Sequence, residues 1–122
     1  MRSIEEILQS ASDVLFPAEL GERRVEIDST DCDGDTPLHV MLWRKDAVAV
    51  KQLIAAGAAV NAIGDMGETP LHVAVSQDLP EGVAALLEAG ANPDIRCEFG
   101  DTPRQRAQAR GRELALFFGG GA

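Results

Sequence analysis

A chain of 122 residues, 45% apolar and 25% charged, has the make-up of one soluble globular domain with enough apolar mass for one core. Twenty acids against eleven bases leave a net charge of -9. That balance argues against a nucleic-acid binder and against a protein that leans on an anionic membrane, since both need a basic face. No apolar run reaches the roughly 18 residues of a spanning helix. The opening Met1-Arg2-Ser3-Ile4-Glu5-Glu6 lacks the apolar core of a secretory leader. Two cysteines are too few for a disulfide framework. The expectation is a cytoplasmic, single-domain protein, monomeric on its own.

Ser3 and Glu6 have the spacing of a capping box, and Ile4, Ile7, Leu8 and Ala11 form a helical stripe behind them. The segment from Leu15 to Glu22 follows no pattern, and its conformation stays open. From Asp31 onward the chain repeats itself. Pro37, Pro70 and Pro103 lie 33 residues apart, each in a Thr-Pro pair preceded by Gly and an acid: Gly34-Asp35, Gly67-Glu68 and Gly100-Asp101. The glycine supplies turn geometry. Thr caps a helix, and Pro takes its first position, where the missing N–H costs nothing. The spacing predicts a first helix over 37–44 and a second over 47–56, stopped by Gly57. In the next unit Pro80 opens the second helix and Gly90 closes it. The last unit carries Arg104, Arg106 and Arg110 on its first helix and a short second helix over 112–118. No such pair can bury its apolar stripe alone, so the pairs are expected to stack as a solenoid. Ile27 aligns with Val60 one period on, which makes residues 1–26 a degenerate first unit.

The segments DGDTPLHVML at 33–42 and MGETPLHVAV at 66–75, with AAGAAVNA and EAGANPDI later in each unit, resemble the ankyrin repeat over residues 31–118. The resemblance implies an all-α repeat solenoid: ankyrin-type helix-turn-helix units with β-turn fingers. The expected divisions are a cap over 1–30, repeats over 31–63 and 64–96, and a truncated closing repeat over 97–122.

Little in the chain points to catalysis, a metal or a cofactor, and none of the three is expected. The only histidines are His39 and His72, without ligand-spaced partners for zinc. The resemblance implies a structural histidine, tied to its own turn and to its neighbour's backbone. Asp31-Cys32-Asp33-Gly34-Asp35 fails as a calcium loop, because Thr36 and Leu42 stand where Gly and Glu are needed. Cys32 and Cys97 lie in turns two units apart and are expected to be inert thiols. No glycine-rich loop stands between a strand and a helix to cradle phosphate. An enzyme of another kind would show as an activity lost on replacing the two histidines.

Ankyrin-like proteins bind other proteins through their turn tips and first helices, on the concave side, so the resemblance implies a protein partner held on an acidic concave face with apolar anchors. Projected unit by unit, the expected contact residues are Asp33, Asp35, Trp43 and Arg44, then Ile63, Asp65, Met66, Glu68 and Gln77, then Glu98, Phe99, Asp101 and Arg110. Ser76 and Arg96 lie beside them. Large apolar residues ringed by acids describe a hot spot that steers a basic partner. Charge is uneven along the chain: residues 1–103 hold nineteen acids and seven bases, and residues 104–122 hold four arginines and one glutamate. The arginine-rich end reads as a solvated cap, with Leu114, Leu116, Phe117 and Phe118 closing the core. With nothing else attached, binding itself is the expected activity. One form is an inhibitor of a basic enzyme, such as a toxin's immunity protein. The alternative is a scaffold or regulatory subunit of a stable complex.

Overall fold

The computed structural model describes residues 3–11, 27, 29–31 and 34–118. Asp33, Cys32, the segment 15–26 and the tail from Gly119 fall outside the described residues. Seven α-helices appear among those described: α1 (Ile4–Ser10), α2 (Pro37–Trp43), α3 (Ala47–Ala55), α4 (Pro70–Ser76), α5 (Pro80–Glu88), α6 (Pro103–Arg110) and α7 (Arg112–Leu116). Among the described residues one 3₁₀ turn covers Asp65–Gly67. The all-α solenoid expected from the 33-residue period is the observed fold.

Each first helix starts the same way. Thr36, Thr69 and Thr102 accept from the backbone N–H of His39, His72 and Gln105, whose side chains accept from the threonine N–H in return. Ser3 and Glu6 form the same box on α1. Four starts therefore follow from local sequence alone. The second helices end where Gly57 adopts φ 99°, which lets Ala58 N–H reach back to the Leu53 carbonyl.

Packing follows the repeat. The first helices α2, α4 and α6 stack on one another, and α3 packs on α5 behind them. α1 packs against α3. Leu38, Val40, Met41, Leu42, Val50 and Leu53 of one pair meet Leu71, Val73, Val75, Val83 and Leu86 of the next. At the C-terminal end the sequence expectation is only half met. Leu114 and Phe118 are buried, whereas Leu116 and Phe117 are exposed. A helix of five residues offers one narrow stripe to the core, and α7 turns Leu116 outward from it. Arg104 donates to the Phe118 carbonyl and to Asp94, tying the chain down behind α7.

Candidate functional site

The turns that precede α2, α4 and α6 are closed alike: Asp31, Gly64 and Cys97 donate their N–H to the carbonyls of Asp35, Glu68 and Asp101. Consecutive turns are then joined by histidine. Thr36 N–H donates to His39 Nδ1 at 3.1 Å, so the ring proton sits on Nε2, which donates to the Glu68 carbonyl at 3.1 Å. His72 repeats the arrangement with Thr69 and the Asp101 carbonyl at 3.0 Å. Both nitrogens of each ring are engaged, so neither histidine is poised as a general base. Burial holds the His39 imidazole below its ordinary pKa, against the upward pull of the Glu68 carbonyl and of Asp35, Asp31 and Glu68. Burial also lowers His72, and the nearby Arg106 adds to the effect.

The expected contact residues divide into three groups. Asp35 is not presented to a partner. It is only 4% exposed, and its Oδ1 accepts the Asp65 N–H at 2.9 Å across the first turn junction. Its burial pushes the carboxyl above its ordinary pKa. A turn acid projected from sequence is free only if no neighbouring turn donates to it, and here one does.

Glu68 and Asp101 occupy the equivalent position in the next two turns, and both are held by Arg106. Its guanidinium grips Asp101 in two places, Nε to Oδ2 at 2.8 Å and a terminal nitrogen to Oδ1 at 2.9 Å. The other terminal nitrogen lies 3.2 Å from Glu68 and donates to the Ser76 hydroxyl at 2.9 Å. Asp101 is consequently held well below the usual carboxylate range, and Arg106 is raised. Arg106 also departs from its sequence expectation. It is not part of a solvated cap, since its side chain is only 14% exposed. The signal was available: Arg106 stands one and two periods after Val73 and Val40, both buried.

The third group remains open. Ile63, Met66 and Phe99 are 52%, 47% and 69% exposed, and the Asp65 and Glu98 side chains are exposed beside them. Met66 and Phe99 share a repeat position, and Glu98 N–H donates to the Met66 carbonyl at 2.8 Å, so these two tips adjoin. Met66 holds φ 58°, in the left-handed region that costs a non-glycine residue about 1 kcal/mol. Trp43, Arg44, Gln77 and Arg110 lie at the far ends of the first helices, roughly 10 Å along each axis from the turns. Trp43 is 38% exposed, with its ring 6.3 Å from that of His39. Arg44 donates to the Ser10 hydroxyl and carbonyl and so braces α1. Gln77 is half-buried, and Arg110 is exposed.

Among the described residues, a side-chain cluster and a groove bear on small-ligand binding. The donor atoms of His72, Cys97 and Asp101 lie within 4.8 Å of one another. All are spoken for: Cys97 donates to Asp101, His72 Nε2 donates to the Asp101 carbonyl, and Arg106 lies against both the thiol and the carboxylate. A guanidinium already stands where a cation would bind. On the outer side, a groove of about 420 Å³ runs beside Lys51, Ala84, Ala85, Glu88 and Phe117. It belongs to different helices from the turn row.

No helix among the described residues is long and apolar enough to cross a membrane. Among curated proteins none matches the chain. A family model described as ankyrin repeats, in three copies, matches residues 7–113. Turn closure, the Thr-Pro helix starts and the bridging histidines recur along that span, and the chain belongs to the ankyrin repeat family, whose repeats serve as protein–protein interaction modules.

Proposed function

We propose that this chain binds one protein partner through the turn row of Ile63, Met66 and Phe99, extended by Trp43 at the far end of α2. On this reading the chain divides into a cap over 1–30, units over 31–63 and 64–96, and a closing unit over 97–122. The observation that carries this reading is the exposure of those four large apolar side chains at turn tips and a helix end. Solvated tips are ordinarily polar, and apolar side chains collected at them are what an interface uses as anchors. Asp65 and Glu98 favour a basic rim on the partner. Binding of this kind, in the cytoplasm, inhibits or sequesters the partner, as an immunity protein does with a toxin.

A specific observation favours the second reading, a regulatory or scaffolding subunit. Arg106 engages two of the expected acids and offsets one of their two charges, which leaves the row less acidic than its sequence suggests. Salt separates the two readings. Capture from native lysate is compared for the wild type and for Trp43→Ala, Met66→Ala, Phe99→Ala combined, at low and high salt. The inhibitor reading expects one basic protein, absent from the folded variant, captured more slowly as salt rises, and inactivated when bound. Capture indifferent to salt, with the partner still active, supports the subunit. A partner retained by the folded variant places the interface elsewhere.

A further inference from the structure

The first and second turn junctions are built differently. At the first, Asp35 reaches across to the Asp65 N–H. At the second, the equivalent Glu68 turns to Arg106, and the Glu98 N–H bonds to the Met66 carbonyl instead. The stack itself does not require this arginine. Val40 and Val73 fill the same repeat position, buried, in the two preceding units. A partly buried ion pair seldom improves on a packed apolar residue in stability. What an arginine does there and a valine cannot is offset acidic charge and engage both carboxylates.

We infer that Arg106 is a specificity-determining residue of the binding face: it ties up Glu68 and Asp101, offsetting one of their two charges, and leaves Asp65 and Glu98 as the free acids beside the Met66 and Phe99 tips. The face then fits an apolar loop with bases at its flank and rejects a polybasic segment. A run of lysines finds few acids to pair with and must lie against apolar side chains that leave its charge unpartnered. This rests on the turn row being the binding face, as proposed above.

The test uses fluorescently labelled decalysine as the polybasic probe, read by anisotropy at about 20 mM and about 0.5 M salt, which bracket strong and weak screening. Arg106→Val and Arg106→Gln, each confirmed folded by circular dichroism, are expected to bind decalysine roughly fivefold more tightly than wild type at low salt, the worth of two freed surface pairs. The gain disappears at high salt and in the triple variant Arg106→Gln, Glu68→Gln, Asp101→Asn. Arg106→Lys, which keeps the charge, behaves as wild type. Structural damage to a folded binding face lowers affinity, so a gain is not its signature. Unchanged affinity in a folded variant overturns the inference, and so does a gain that survives in the triple variant. The natural partner takes no part in this assay, so failure of the turn row is read separately, from the capture experiment.

Discussion

Gly64→Ala is expected to cost about 2 kcal/mol or more of stability, a large effect for one methyl group. A Cβ at Gly64 would stand 2.2 Å from Asp35 Oδ1 and 2.9 Å from His39 Nε2. Neither atom can move cheaply. The carboxylate accepts the Asp65 N–H, and the imidazole donates to the Glu68 carbonyl. The cost is therefore steric and local, since Gly64 itself has an extended backbone open to any residue. Cys97 occupies the matching position of the last turn, where its thiol donates to Asp101 and no acid crosses from the turn before. Cys97→Ala is accordingly expected to cost less. Chemical denaturation of Gly64→Ala, Asp35→Ala and the double variant checks the mechanism. If the clash with Asp35 dominates, the double variant is more stable than the summed single effects by more than about 1 kcal/mol. Simple additivity would locate the cost elsewhere.

His72→Ala is expected to cost about 3 kcal/mol, combining an emptied buried ring site with a lost capping acceptor and a lost link to the Asp101 carbonyl. His72→Gln separates the two hydrogen bonds. In the last unit Gln105 accepts the Thr102 N–H and closes the same capping box. A glutamine at position 72 therefore keeps the cap, forfeits the reach to the following turn, and costs about half as much. Acid tests the same bonds. Both histidines have folded pKa values below the ordinary 6.5, so the unfolded chain takes up protons first as pH falls. Their contribution is complete above about 6.5 and is lost as pH drops below that value through the depressed folded values. Stability measured at pH 7.5 should exceed that at pH 5.5, by less in His39→Gln and His72→Gln. Trp43, the single tryptophan, lies close enough to His39 for its fluorescence to report the protonation of that ring. Equal stability at the two pH values would show that burial does not hold the rings neutral.

Much of the fold was legible because its signals are local. Thr and Pro at a helix start, His or Gln three residues after the cap, and glycine past the end of the second helices each act within a few residues. A 33-residue period then repeats them until the stack is implied. The site was less legible because its charges are settled between units. Asp35 looks like any turn acid until the next turn's Asp65 N–H is seen beside it. Glu68 and Arg106 are 38 positions apart in the chain and 3.2 Å apart in space. Comparing repeat positions, rather than local patterns, could have exposed Arg106, because a cation following two buried valines needs an anion nearby. The apolar tips were easier to find. Met66 and Phe99 depart from the usual polarity of turns, and a departure from local rules is visible in sequence alone.

The left-handed backbone at Met66 offers a way to recognise function before any partner is known. Asparagine and glycine adopt that conformation more readily than methionine, so folding by itself favours replacing Met66. In a library selected only for folded protein, Asn and Gly should become enriched at position 66. In one selected for retained activity in the cell, Met should persist. Disagreement between the two selections at one residue would mark a place where evolution accepted a strained chain in return for an exposed thioether.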